Sequence, residues 1–199
     1  MYEEHRIGVV VPVYNESEFI ADVLGGVPAF VDRIYAVDDC STDDTWGEIQ
    51  RQQRAVEAPT ATTTDGGAET APRLVATRHA DNRGRGAAVK TGYGMALDDG
   101  MEVVAVMDGD GQMDPAHLDR LLDPIVDGVA DYTKGNRLST AAHRAQMSRW
   151  RVFGNVLLTG LTRVASGYWG MTDPQNGYTA ISADALSTLD VDALYDRYG

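Results

Sequence analysis

Three polar side chains at alternate positions form the sharpest chemical signal in this sequence. They are Asp108, Asp110 and Gln112, within the run Asp-Gly-Asp-Gly-Gln. Two carboxylates and an amide at this spacing can converge on one hard divalent cation, because Mg²⁺ and Mn²⁺ prefer oxygen ligands and commonly share them with substrate phosphates. Gly109 and Gly111 allow a tight turn and the close approach of a phosphate. An acidic surface turn without a ligand is the alternative interpretation.

The sequence partly matches three other ligand-binding motifs but lacks a required residue of each. An EF-hand that starts at Asp108 needs Asp or Asn at its fifth position and Gly at its sixth, where the chain has Gln112 and Met113. A phosphate loop or a dinucleotide fingerprint over residues 84–91 needs a glycine where the chain has Val89. These departures argue against a calcium loop, a P-loop ATPase and a Rossmann dehydrogenase.

Short apolar runs lead directly into the polar clusters. Residues 7–13, 33–37 and 102–107 are nearly continuous apolar stretches and predict strands buried on both faces. Between such runs, N-capping residues that can begin a helix and glycines that can end one predict helices. Further strands are expected at 74–77, 130–134 and 178–181, and helices at 18–25, 44–54, 87–97, 115–126, 144–165 and 183–189. This alternation predicts an α/β fold with a mostly parallel central sheet flanked by helices, whose ligands bind at the carboxyl ends of the strands.

The composition is strongly acidic, with Asp much more frequent than Glu and Arg much more frequent than Lys. The 199 residues carry a formal charge of −13, with 22 Asp against 8 Glu and 15 Arg against 2 Lys. This balance argues against a nucleic-acid binder, which needs a basic surface. It is typical of proteins from salt-loving archaea, although a modestly acidic cytoplasmic protein is the alternative. One cysteine, Cys40, excludes an internal disulfide framework.

Four motifs occur in a recognisable order, namely PVYNE at 12–16, VDDCSTD at 37–43, NRGRGAA at 82–88 and DGDGQ at 108–112. Together they resemble the family 2 glycosyltransferases, and among these the dolichyl- or polyprenyl-phosphate mannose and glucose synthases. The later run DPQNGY at 173–178 matches a further segment of that group. The resemblance implies a GT-A fold as a single domain over 1–199, with a flexible loop at 57–72. Relatives commonly continue beyond the position of Gly199, so we expect a longer natural protein.

The resemblance also implies which residues bind the donor, a nucleotide sugar such as GDP-mannose or a UDP-hexose. The expected donor contacts are Pro12, Tyr14, Glu16, Asp38, Asp39, Asn82, Arg85 and Asp108. Asp39 and Asp38 would accept hydrogen bonds from the base or ribose, with a cap or turn role as the alternative for Asp38. Asp108, Asp110 and Gln112 would hold Mg²⁺ or Mn²⁺ on the diphosphate.

The expected acceptor is a polyprenyl (dolichyl) phosphate at the cytoplasmic face of the membrane, where the protein would associate with the membrane surface. Arg137, Arg149, Arg151 and Gln175 are the candidates for binding the acceptor phosphate. Asp173, by its motif position, and Arg137 are the catalytic candidates. The chain is thus expected to be an inverting, metal-dependent transferase. Transfer to a sugar hydroxyl on a growing glycan, or nucleotide-sugar binding without turnover, are the alternatives.

Overall fold

The computed structural model describes residues 1–57, 73–135, 177–193, 195 and 196. Within these residues six strands form one sheet: β1 (Ile7–Val13), β2 (Arg33–Asp38), β3 (Leu74–Arg78), β4 (Val103–Val106), β5 (Tyr132–Lys134) and β6 (Thr179–Ser182). The helices are α1 (Ile20–Gly26), α2 (Thr45–Glu57), α3 (Arg85–Asp98), α4 (Asp119–Val126) and α5 (Ala183–Thr188), with 3₁₀ turns at Pro115–His117 and Val191–Ala193. The loop expected at 57–72 falls, from residue 58 onward, outside the described residues.

The sheet has the strand order β3-β2-β1-β4-β6-β5. Strands β3, β2, β1 and β4 run parallel, whereas β6 pairs antiparallel with both β4 and β5. The predicted α/β fold with a mostly parallel sheet is therefore confirmed. All seven residues of β1 are buried, because this central strand has a neighbouring strand on each side and helices over both faces.

The two faces of the sheet build two separate cores. Val9 and Val11 point to the face covered by α1, α2 and α4, while Val10 points to the face covered by α3 and α5. This alternation follows from the two-residue period of a strand. On the α3 side, Tyr35 is fully buried, and its hydroxyl donates a 2.9 Å hydrogen bond to Asp99 Oδ2. No helix among the described residues is both long enough and apolar enough to span a membrane.

The helix expected at 115–126 is divided in two. Pro115–His117 forms a 3₁₀ turn, and α4 begins only at Asp119. The Asp114 side chain accepts a 2.9 Å hydrogen bond from the backbone N–H of Ala116, which caps the turn. Pro is well suited to this first position, because it has no N–H to leave unpaired.

Tyr195 and Asp196 lie across the first turn of α3. The backbone carbonyl of Asp196 accepts a 3.3 Å hydrogen bond from the N–H of Ala87, and its carboxylate lies 2.9 Å from Lys90 Nζ. A Cβ on Gly86 would lie 2.2 Å from the carbonyl oxygen of Tyr195. This approach therefore requires glycine at position 86.

Two glycines of α3 offer a matched test of how this helix packs on β1. A Cβ at Gly92 would lie 2.3 Å from Val10 Cγ1, whereas one at Gly94 would have no neighbour within 4 Å. We expect Gly92→Ala to lower the free energy of unfolding by about 1–3 kcal/mol through overpacking. Gly94→Ala should raise it by about 0.5–1 kcal/mol through helix propensity. Urea denaturation measures both, and equal effects would contradict the packing.

Candidate functional site

A crevice opens at the carboxyl ends of β1, β2 and β4. Pairing between β1 and β4 stops at Val10 and Val106, whereas β1 stays paired with β2 as far as Val13 and Asp38. The strand order reverses between β1 and β4, which is where ligands bind in open α/β sheets. A cavity of about 470 Å³ lies here, lined by Pro12, Val13, Tyr14, Glu16, Asp39, Asn82, Gly84, Arg85, Ala88, Asp108, Gly109 and Asp110.

Most of the residues predicted to contact the donor line this one cavity, namely Pro12, Tyr14, Glu16, Asp39, Asn82, Arg85 and Asp108, together with the predicted metal ligand Asp110. They come from four motifs that are far apart in the sequence. Their contacts with a ligand stay predictions, but a shared cavity is what a common ligand requires. Gln112 is exposed and does not line the cavity, and its backbone N–H donates a 3.0 Å hydrogen bond to Asp110 Oδ1.

The loop after β1 is braced by the loop after β2. Asn15 has a φ of 56°, a left-handed conformation that asparagine adopts more readily than most residues. Its side-chain oxygen accepts a 2.8 Å hydrogen bond from the backbone N–H of Thr42. The next backbone N–H, that of Glu16, donates to the Thr45 hydroxyl at 2.8 Å. These bonds hold Tyr14 and Glu16 at the mouth of the cavity.

Asp39 accepts hydrogen bonds through both of its carboxylate oxygens. Its Oδ1 lies 2.7 Å from His79 Nδ1 and accepts a 3.0 Å hydrogen bond from the backbone N–H of Arg83. Its Oδ2 accepts a 2.6 Å hydrogen bond from the backbone N–H of Gly84. Gly84 has a φ of 99° and a ψ of 159°, a region essentially restricted to glycine. Asp39 thereby fixes the loop that leads into α3.

His79 precedes the loop predicted to bind the donor, and the sequence favours a surface position for it over a contact with that loop. A surface position is the usual expectation for an isolated histidine in a polar loop, yet only 7% of its side chain is exposed. Its Nε2 lies 2.9 Å from the Thr91 hydroxyl, so the ring bridges Asp39 and α3. The strand pairing explains this position, because β3 lies beside β2 in parallel register and the two strands end together.

Asp38 has a different environment from its neighbour. It is fully buried, does not line the cavity and forms a 2.9 Å ion pair with Arg78 Nε. The backbone N–H of Ser41 also donates to it at 3.3 Å. These contacts favour the turn role that was the alternative for Asp38. Its binding to the base or ribose stays a prediction.

Arg85 and Asp108 form an ion pair inside the cavity. Arg85 Nε donates a 2.6 Å hydrogen bond to Asp108 Oδ1. Gly177 packs against this pair, since a Cβ there would lie 2.4 Å from Arg85 Nη2 and 2.6 Å from Asp108 Oδ2. Gly177, which belongs to the run at 173–178, therefore lies close to the cavity residues Arg85 and Asp108.

Besides Asp39, three carboxylates line the cavity, those of Glu16, Asp108 and Asp110, together with the guanidinium of Arg85. Burial raises the pKa of Glu16 above its ordinary value, and repulsion from Asp110, Asp43 and Asp108 raises that pKa further. Negative charge thus exceeds positive charge among the described residues at this end of the cavity. A bound cation would relieve that imbalance.

The oxygen atoms available here fit a cation that the protein and a bound ligand coordinate together, rather than one coordinated by the protein alone. Among the described residues, no group of three or more His, Cys, Asp or Glu side chains could hold a metal ion. Asp108 and Asp110 nevertheless supply the oxygen ligands that Mg²⁺ and Mn²⁺ prefer. A cation at this point would need further oxygens from a ligand, as phosphate groups provide.

The acceptor side of the predicted site cannot be compared with the structure. Asp173, Arg137, Arg149, Arg151 and Gln175 all lie outside the described residues. Their roles stay predictions.

Comparison with known proteins gives a family-level match. Residues 8–190 match the model of the family described as glycosyl transferase family 2. The chain is 28% identical over 193 residues to the UDP-N-acetylglucosamine–dolichyl-phosphate N-acetylglucosaminyltransferase of Methanococcus voltae, covering 96% of this chain and 75% of that protein. It is 29% identical to the undecaprenyl-phosphate mannosyltransferase of Micrococcus luteus, covering 98% of this chain and 74% of that protein.

The fold also matches solved structures. Glucosyl-3-phosphoglycerate synthase from Mycobacterium tuberculosis, in complex with Mn²⁺, UDP and glucosyl-3-phosphoglycerate, superposes with a TM-score of 0.63 at 20% identity. The match covers 94% of this chain but only 60% of that one. At this identity the likeness establishes the fold alone, and it confirms the predicted GT-A architecture.

The raised pKa of Glu16 predicts a pH-dependent effect of removing its charge. In the unfolded chain Glu16 ionises near its ordinary pKa of 4.5, and in the folded chain only at higher pH. Folding is therefore penalised as the pH rises above that value. Glu16→Gln should raise the Tm at about pH 7.5 but not at about pH 4. Thermal denaturation at both pH values measures the effect, with the exposed Glu18→Gln as control. A gain that is equal at both pH values would contradict the electrostatic cause.

Proposed function

The chain belongs to glycosyl transferase family 2, and we propose that it transfers a hexose from a nucleoside-diphosphate sugar to a polyprenyl phosphate. The observation that supports this most is the convergence of Asp39, Arg85, Asp108 and Asp110 on one open cavity at the carboxyl edge of the sheet. Relatives that match nearly the whole chain are transferases whose names specify dolichyl phosphate or undecaprenyl phosphate. The lipid-linked acceptor is proposed on that likeness.

The cavity suits a donor that lies across the ends of the strands. Asp39 follows β2 and Asp108 follows β4, with β1 between them. Two strand spacings separate these carboxylates by roughly 10 Å, a span appropriate to a nucleoside diphosphate. Asp39 would meet the base or ribose, and the Asp108 end would meet the diphosphate. Asn82 and Tyr14 line the same cavity.

The diphosphate end combines acidic and basic groups. A divalent cation such as Mg²⁺ or Mn²⁺, held by Asp108 and Asp110, would neutralise charge on the nucleoside-diphosphate leaving group. Arg85 would donate hydrogen bonds to the same leaving group, since its guanidinium already lies in the cavity. Both contributions grow as the bond from the sugar to the diphosphate breaks, and they therefore lower the barrier.

A lipid phosphate acceptor needs little help from a base. By analogy with phosphorylated side chains its second pKa lies near ~6, so it is largely dianionic at neutral pH. An acceptor oxygen would attack the anomeric carbon as the bond to the diphosphate breaks, which inverts the anomeric configuration. Arg137, Arg149, Arg151 and Gln175 are proposed to hold the acceptor phosphate. Asp173 would orient the reacting groups, and catalysis would take place at a membrane surface.

Removing one carboxylate tests the metal assignment. Asp110→Asn should abolish the Mn²⁺-dependent part of nucleotide-sugar binding and lower the rate of transfer about 10²-fold, because one charged ligand is lost. Calorimetry with and without chelator measures the binding. Asp98→Asn, at the far end of α3, makes the same chemical change and serves as control. Metal-dependent binding that survives Asp110→Asn would contradict the assignment.

Matched acceptors test the proposed chemistry. We expect transfer to a polyprenyl phosphate and at least about 10²-fold slower transfer to the corresponding polyprenol, because only the phosphate is an anionic nucleophile at neutral pH. Separation of radiolabelled lipid from the nucleotide sugar measures both rates. Preferred transfer to a sugar hydroxyl, with an absolute requirement for Asp173, would instead favour a glycan-extending enzyme.

A further inference from the structure

The hydrogen-bonding capacity of Asp39 is almost used up before any ligand enters. A carboxylate offers about four acceptor positions, two on each oxygen. On Oδ1 both are taken, by His79 Nδ1 at 2.7 Å and by the backbone N–H of Arg83 at 3.0 Å. On Oδ2 one is taken, by the backbone N–H of Gly84 at 2.6 Å. One position on Oδ2 remains for a group that enters the cavity.

Access to Asp39 is correspondingly narrow. Only 3% of its side chain is exposed, although the residue lines the cavity. A ligand can therefore approach it from one direction. Because Arg83 and Gly84 donate through their backbone, His79 is the side chain that a substitution can remove from this set.

The imidazole of His79 is itself held on both sides. Its Nδ1 faces Asp39, and its Nε2 lies 2.9 Å from the hydroxyl of Thr91, which in turn lies 3.0 Å from the carbonyl oxygen of Ala87. An ionised carboxylate has no hydrogen to donate, so Nδ1 of His79 carries the proton in the hydrogen bond to Asp39. The ring cannot turn away from Asp39 without losing its bond to α3.

We propose that His79 is a specificity-determining residue, which restricts Asp39 to a single hydrogen bond with the base of the donor and thereby selects uracil over guanine. This inference rests on the proposed nucleotide-sugar donor. His79 acts through Asp39 and is a positioning residue rather than a catalytic one.

The two bases differ in what they offer to a carboxylate. The Watson–Crick edge of uracil has one N–H, at N3, between two carbonyl groups. Guanine has adjacent donors at N1 and N2, which pair with a carboxylate through both of its oxygens. Asp39 has an acceptor position on one oxygen only, so guanine would leave one of its two donors unpaired beside this buried carboxylate, which is costly. Uracil would have its single donor satisfied.

Nucleotide binding to the full chain in the presence of Mn²⁺ tests this selection directly. Calorimetry should show that UDP binds at least about tenfold more tightly than GDP, since a site with matched hydrogen bonds rejects a mismatched ligand by at least that factor. His79→Ala frees one acceptor position on Oδ1, and it should reduce the UDP-to-GDP affinity ratio by about tenfold. His79→Asn should restore the ratio, because the amide nitrogen of Asn can donate from the place of Nδ1.

A matched control separates selection from general damage. His5→Ala removes a partly exposed imidazole at the opposite end of the sheet and should leave both affinities unchanged. If His79→Ala weakens UDP and GDP equally, His79 is merely structural and the proposal is overturned. Wild-type protein that prefers GDP overturns the proposal but leaves the proposed function standing. Wild-type protein that binds neither nucleotide overturns both.

Discussion

The carboxylate of Asp39 connects three parts of the chain. It follows β2, it contacts His79 just after β3, and it accepts hydrogen bonds from the backbone of Arg83 and Gly84 just before α3. Because these bonds are buried, losing the acceptor would leave several donors unpaired at once, at about 1–3 kcal/mol each. The direction in which α3 leaves this loop, and with it the position of Arg85, depends on this single side chain.

The second constraint is electrostatic. The cavity is lined by more carboxylates than cations among the described residues, and burial together with repulsion from neighbouring carboxylates raises the pKa of Glu16. The ion pair between Arg85 and Asp108 offsets part of it. The charge of such a site is uncompensated without a ligand, and a ligand that binds together with a cation compensates it. Stability and ligand binding therefore oppose each other at the same few residues, as is common at functional sites.

The sequence was informative wherever local pattern and position coincide. The run at 7–13 is apolar and favours a strand buried on both faces, and the polar residues that follow such strands were expected to gather at one edge of the sheet. The positions of Tyr14, Asp39 and Asp108 at that edge were predictable for this reason, whereas their contacts with a donor were implied by the family resemblance and stay predictions. The burial of His79 was not predictable, because it depends on β3 lying beside β2, a pairing that no local pattern encodes. The distinct environments of Asp38 and Asp39 were equally hidden, since adjacent residues at the end of a strand face different surroundings only once the following turn is fixed. The antiparallel direction of β6 likewise depends on the path of the chain between β5 and β6.

The contact of Asp196 with the start of α3 bears on how a diphosphate can be held. The first turn of a helix presents unpaired backbone amides, and many phosphate-binding proteins use that turn as an anion cradle. In this chain the amide of Ala87 is already bonded to the Asp196 carbonyl, and a carboxylate lies beside it. The positive end of the α3 helix dipole thus already interacts with groups of the protein itself. A phosphate in the neighbouring cavity is therefore neutralised by side chains and cations rather than by backbone amides. Phosphate binding in this cavity should depend on ionic conditions more than binding to backbone amides does.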